Sequence, residues 1–490
     1  MRLHLALSAL LGMALVAHAQ EKKPAPAAAK PAPAKPAPKG WGLKDGDRVI
    51  FIGDSITHQC LYTQYVEDYF FTRYPNVNIK FRNAGISGDR AQDALDRFDD
   101  DIAPFKPTVA TVLLGMNDGS YRDFDPVIFK TYADGMTKLC DRLDALKCRV
   151  ILMSPTMFDH QAFEQMVAKD PAKAKNKDPQ NYNGVLAYYG KWVQETARKR
   201  GYGFVDLYGP LNTLTTQGRR QDPNFTLIAD AIHPGPDGQL IMAYELLKQT
   251  GELGGIFGSG AKLAAGQWKS LNPGIVTDVR GEPGKSVSYT ATIKSLPWIV
   301  PAEAALGYKL SRAGHTGTQE SHIVVGLNAG YYNLRINGQD VGRFDERGLA
   351  VHAEIEENPN SPTHQQALKV AELNKQRNAE AINPLRGLYG QRKGKLRAAR
   401  EAANQAAAPS KDGQPAPAAG KVNSMEAFNA WRENELKPKE AELLKKAESF
   451  EEQIRQAAQP QPVKVEVIPT AAPAKPMPKA RPKAAAKKAA

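Results

Sequence analysis

Over its first half the chain alternates short apolar runs with amphipathic stretches. Residues 49–52, 77–81, 109–114, 150–153 and 204–205 read as strands. Helical spacing recurs at 61–71, 91–98, 127–146, 185–199 and 238–250. Strands that are apolar throughout and divided by helices predict an α/β unit with a parallel sheet covered on both faces. The period changes after about residue 260. Residues 286–293 alternate, 322–327 and 331–336 also read as strands, and Asn337-Gly338 is a hairpin turn signal. These predict a small β-rich module over 265–355. Its Trp298, Tyr331 and Tyr332 read first as strand-face core residues, with sugar stacking as the functional alternative. Residues 363–457 are rich in Ala, Glu, Lys, Gln and Arg and predict helices over 365–407 and 425–457. A polar linker at 409–420 separates the two, and Pro384 and Gly387 are expected to interrupt the first. This region reads as an antiparallel helical pair or an extension packed on the β module.

The chain ends change the meaning of the charge. Arg2 precedes the apolar run 3–16, and Ala17-His18-Ala19 offers a small-x-small cleavage site, so residues 1–19 read as a secretory signal peptide. Gln20, not Cys, follows the cut, which argues against a lipoprotein anchor. No later run has the ~18 apolar residues a transmembrane helix needs. The expected location is periplasmic or extracellular. Residues 20–40 and 459–490 are Lys/Pro/Ala-rich and read as an extended linker and a disordered tail. They hold most of the formal net charge of +13. The folded part is therefore near neutral, and the basic pI does not indicate a nucleic-acid surface. As partners the tails suggest either an anionic cell-surface polymer or nothing beyond solvent.

Three cysteines, Cys60, Cys140 and Cys148, leave at least one unpaired, and a Cys140–Cys148 bridge stays open. No His-Glu-x-x-His, paired-cysteine, Walker or dinucleotide-glycine pattern occurs, so neither a metal nor a nucleotide cofactor is indicated. Asp99-Asp100-Asp101 lacks the spacing of a calcium loop and reads as a solvated helix end.

The chemistry concentrates at the ends of the predicted strands. The strand at 49–52 runs into Gly53-Asp54-Ser55, which places a hydroxyl beside unpaired helix N–H groups. Asp230-Ala231-Ile232-His233-Pro234 puts a carboxylate three residues before a histidine; on a tight turn, Asp230 can accept Nδ1–H and leave Nε2 free as a base. Between them lie the glycine turn Asn83-Ala84-Gly85-Ile86-Ser87-Gly88 and the segment Gly115-Met116-Asn117-Asp118. The N–H groups of Ser55 and Gly88 and the Asn117 amide are candidates for an oxyanion hole. Each piece alone would also serve as a cap or turn. Of the histidines in the α/β region, His58 reads as a pocket wall and His160 as a solvated loop residue.

The four blocks, in this order, resemble the SGNH (GDSL-type) serine hydrolases over roughly residues 41–255. The resemblance implies a flavodoxin-like three-layer α/β/α fold and a cofactor-free ester hydrolase. Ser55 would be the nucleophile, His233 the base and Asp230 its orienting partner, with Ser55, Gly88 and Asn117 holding the oxyanion. Asp54, His58 and Asp118 are the neighbouring candidates for substrate contact. Export and the attached β module point to a carbohydrate O-acetylesterase acting on a small-molecule or polysaccharide ester. The alternatives are a lipase, lysophospholipase or aryl esterase and, in another class, a non-catalytic carbohydrate-binding or cell-surface scaffold.

Overall fold

The computed structural model of the protein describes residues 41–407, apart from 176 and 178, and residues 421–472. The expected leader at 1–19 and the expected linkers at 20–40 and 409–420 lie outside the described residues.

Five strands build the first sheet: β1 (Arg48–Gly53), β2 (Lys80–Gly85), β3 (Val109–Leu113), β4 (Arg149–Met153) and β5 (Gly203–Val205). All pair in parallel, in the order β2-β1-β3-β4-β5. That is the doubly wound order whose ligand crevice opens at the carboxyl ends of the strands beside β1 and β3. β1 and β3 are buried almost throughout, as a sheet covered on both faces requires. The helices of this unit are α1 (Ser55–His58), α2 (Leu61–Arg73), α3 (Ala91–Asp96), α4 (Pro126–Ala145), α5 (His160–Lys169), α6 (Tyr182–Arg200), α7 (Tyr208–Arg219) and α8 (Pro236–Gln249). The Gln239 side chain accepts from the Tyr62 N–H at 2.9 Å and ties α8 to α2, while Tyr132 of α4 stacks on Tyr189 of α6 at 4.6 Å. Periodicity left α5 and α7 unassigned. β2 starts later than expected, because residues 74–79 form turns, and it takes in Asn83 and Gly85. Gly53 therefore pairs directly with Gly85.

The β module carries β6 (Phe257–Ala264), β7 (Gln267–Ser270), β8 (Val276–Arg280), β9 (Val287–Ala291), β10 (Glu320–Val325), β11 (Tyr331–Ile336), β12 (Gln339–Asp345) and β13 (Ala353–Glu354). Three short helices, α9 (Ala305–Ser311), α10 (Ala313–Gly317) and α11 (Glu346–Val351), interrupt it. The Asn337-Gly338 turn joins β11 to β12 with both residues at positive φ, as a two-residue hairpin loop demands. The module begins before residue 265, and a strand from the far end of the chain completes it. β14 (Val463–Thr470) lies between β9 and β11 in the second of its sheets, ordered β12-β11-β14-β9-β8. The expected tail at 459–490 is corrected over residues 459–472; residues 473–490 lie outside the described residues. Val463, Val465 and Val467 alternate onto the buried face, a period-2 signal that the Lys/Pro/Ala composition around it hid. Trp298 is fully buried, donates to the Tyr65 carbonyl at 2.9 Å and meets Tyr69 edge-on at 5.6 Å. Tyr332 is buried as well, so these two rings are core and joint, not a sugar platform.

The C-terminal helices run out as α12 (Pro362–Arg377) and α13 (Asn383–Ala407) and return as α14 (Lys421–Trp431) and α15 (Lys437–Ala457). They pack on the α/β unit rather than on the β module alone, and buried charge explains it. Arg377 bonds Glu67 of α2 at 3.0 Å and Glu451 of α15 at 2.8 Å. Arg386, wholly buried, holds both oxygens of Asp101. Asp101 is accordingly not a solvated helix end. It also receives Arg97 at 2.6 Å, while Asp99 and Asp100 remain exposed and pair with Arg142 and Arg392. Pro384 does not break the arm. A single π turn at Asn378–Ile382 precedes it, and another at Arg432–Leu436 precedes Pro438. A widened turn absorbs the missing N–H and the ring that would strike the preceding turn. The three cysteines are free and buried, their thiols pushed up to about 12 by that burial. Among the described residues no helix is long and apolar enough to cross a membrane.

Candidate active site

Ser55 is the first residue of α1, directly after β1. Glycine is obligatory before it: a Cβ at Gly53 would lie 2.1 Å from Thr57 Oγ1 and 2.9 Å from the Leu113 carbonyl oxygen. Asp54 caps the short helix by accepting from the Ile56 N–H at 2.9 Å. The Ser55 N–H thus stands at the open start of a helix.

His233 comes from the loop between α7 and α8 and reaches the serine across 178 positions of sequence, Nε2 to Oγ at 2.8 Å. Its Nδ1 lies 2.6 Å from Asp230 Oδ2, while Asp230 Oδ1 accepts from the N–H groups of Ile232 at 3.0 Å and His233 at 2.7 Å. The turn is aimed at a cost. Ala231, buried and not glycine, sits at φ +72°, a conformation that costs about 1–2 kcal/mol. Asp159 N–H holds the Ala231 carbonyl at 3.0 Å, and Asp159 is itself gripped by Arg219 and Thr226.

The charges suit a base. Partial burial works to raise the Asp230 pKa, but the His233 ring and the two backbone N–H groups outweigh it and bring it to about 2. The hydrogen bond to Asp230 in turn raises the His233 pKa, against partial burial. An ionised Asp230 keeps the proton on Nδ1 and leaves Nε2 to accept from the serine hydroxyl.

Gly88 lies in the loop after β2 at φ +74°, and its N–H has no acceptor among the described residues. Asn117 follows β3. Its Nδ2 donates to the Asp89 carbonyl at 3.1 Å and, more loosely, to Asp54 Oδ2 at 3.4 Å, while Tyr121 donates to its Oδ1 at 2.9 Å.

The expected substrate contacts divide. His58 lines the cleft with Ser55 and His233. Ser87 donates its N–H to His58 Nδ1 at 3.2 Å, and burial, with Arg386 and Arg97 nearby, lowers the His58 pKa. Asp54 and Asp118 do not reach the cleft, which corrects that expectation. Both are buried beneath it, Asp54 as the cap and Asp118 accepting from the Ala91 N–H at 2.9 Å. Burial pushes each carboxyl up to about 7. His160 starts α5, pairs with Glu164 and lies away from the cleft. Four lining residues escaped the sequence reading: Gln59, Leu61, Ser87 and Asn383. The first three adjoin the motifs and could have been found by proximity; nothing local marks Asn383. The cleft, about 450 Å³, is open to solvent. Among the described residues no cluster could hold a metal ion.

Comparison with known proteins points to the same fold. Residues 51–241 match the model of the GDSL-like lipase/acylhydrolase family. An acetylxylan esterase from Geobacillus stearothermophilus is 26% identical over 232 residues, 43% of this chain and 96% of that protein. A solved gut microbial diltiazem-metabolizing enzyme superposes with a TM-score of 0.72 at 24% identity, over 87% of this chain and 98% of its own. The fold likeness thus reaches beyond the hydrolase unit into the β module and the arm.

Proposed function

We propose that Ser55, His233 and Asp230, within the stretch 51–241 that matches the GDSL-like lipase/acylhydrolase model, carry out ester hydrolysis through an acyl-enzyme, and that the ester is an O-acetyl group on carbohydrate. The observation that carries the first part is the unbroken line Asp230–His233–Ser55, with bonds of 2.6 and 2.8 Å. His233 takes the Ser55 proton as Oγ attacks the ester carbonyl. The N–H groups of Ser55 and Gly88 and the Asn117 amide receive the oxyanion. The alcohol leaves with the proton from His233, and water then cleaves the acyl-serine by the same route. A carbohydrate acetate is favoured by the polar lining of the cleft, Gln59, Ser87 and Asn383, and by the related acetylxylan esterase. The leader supports export, which brings the enzyme to such polymers.

Hydrolysis of p-nitrophenyl acetate, butyrate and octanoate by wild type and Ser55→Ala tests this. Activity greatest on acetate and lost in the variant is the expected result. A preference for octanoate would redirect the proposal to lipid esters, and activity that survives in Ser55→Ala would remove the nucleophile.

A further inference from the structure

The helical arm reaches the cleft through one residue. Asn383 begins α13, between the π turn and Pro384. Its neighbours pin it on two sides. Ala381 and Ile382 pack on Cys60, just past α1, in a small buried cluster with Ala447. Leu385 and Tyr389 pack on Ile86, two residues before Gly88. Arg386, three residues on, is locked to Asp101 at 3.0 and 3.2 Å. The backbone at Asn383 is therefore fixed relative to both Ser55 and the Gly88 loop.

Its side chain is idle. Asn374 and Asn378, earlier on the arm, spend their amides inside the seam, on Asp68 at 2.8 Å and Gln64 at 3.2 Å. The Asn383 carboxamide is exposed, lines the cleft with Ser55 and His233, and has no hydrogen-bond partner among the described residues. It offers two donors and one acceptor on a rigid support. An acetyl group has no polar atom beyond the carbonyl oxygen, which the oxyanion donors take. A hydroxyl of the alcohol moiety is what remains for a carboxamide to bind.

We infer that Asn383 is a specificity residue that hydrogen-bonds a hydroxyl on the alcohol side of the ester, so the arm is part of the substrate site. This rests on the carbohydrate-acetate reading above. It makes the arm a determinant of which acetates are turned over, while the chemistry stays with the hydrolase unit.

The test compares the full-length protein with Asn383→Ala and Asn383→Leu on an acetylated xylo-oligosaccharide and on p-nitrophenyl acetate, whose alcohol lacks a hydroxyl for the amide to meet. The expected result is a fall of about tenfold in the ratio of kcat/KM for the sugar acetate over the phenyl acetate, carried mainly by KM. Unchanged melting temperatures confirm that both variants fold. If wild type cleaves the sugar acetate and the ratio in the variants stays within about twofold, Asn383 is not a specificity residue and the carbohydrate reading stands. If wild type cleaves only the phenyl ester, the carbohydrate reading falls and this inference falls with it.

Discussion

The site and the seam that fastens the arm to the hydrolase unit use the same groups to opposite ends. At the seam every buried cation is matched. Arg377 lies between Glu67 and Glu451, and Arg386 shares Asp101 with Arg97. Burial alone would raise the Asp101 pKa, yet the two guanidinium groups bring it to about 2. Nothing there is free to react. At the site the chain of partners stops one short. Asp230 is satisfied by His233, His233 leans on Ser55, and Ser55 opens onto solvent. Opposite charges paired on both sides build a joint; a line of partners open at one end leaves a hydroxyl facing the cleft.

Asp230→Asn should break the contrast most strongly. The histidine would lose the partner that holds its tautomer, and kcat should fall roughly 10³–10⁴-fold. The pH profile supplies the sign. On the proposed mechanism His233 works only when neutral, and its pKa is raised, so wild-type activity should climb with pH through an apparent pKa above the usual 6.5. In Asp230→Asn that acid limb should move to lower pH. A pH–rate profile with the limb in place would show that Asp230 does not set it.

Arg386→Met attacks the seam. It leaves Asp101 buried with one cation instead of two, and breaking a buried pair costs about 3–5 kcal/mol. Urea unfolding should show the loss. Asp101 adds a pH signature. Its folded pKa is depressed, so its stabilisation is present above its ordinary 3.8 and lost as pH falls toward about 2. The wild-type advantage over Arg386→Met should shrink across that window; a constant difference would mean that packing, not charge, holds the arm.

Asn117→Ala sharpens the comparison from the side of the site. Removing one oxyanion donor should lower kcat by roughly 10²–10³ with little change in KM. Near-normal turnover would mean that the bonds to Asp89 and Asp54 are the whole role of Asn117.

The fold of the hydrolase unit was legible because each strand is a short apolar run and each helix a 3.6-residue pattern. The site was legible because its residues sit in compact motifs at strand ends. α2 shows where that ends. Its Gln64, Glu67 and Asp68 look like a solvated face, but all three are buried under the arm and bonded to Asn374, Arg377 and Asn378. A polar residue whose partner lies some 300 positions away carries no local sign of it. β14 fails differently, since its valine alternation was present but sat in a segment judged by composition.

Local order along the chain therefore determined the parallel sheet, the candidate site at Ser55, Asp230 and His233, and the likeness to ester hydrolases. Periodicity and motif spacing are short-range properties, and one sequence carries them. Tertiary structure alone decided that β14 returns to complete the β module, that the arm clamps onto α2 and Asp101, and that Asn383 stands at the mouth of the cleft. Those outcomes come from burying paired charges and apolar faces brought from distant segments. Their free energy exists only once both partners have left water.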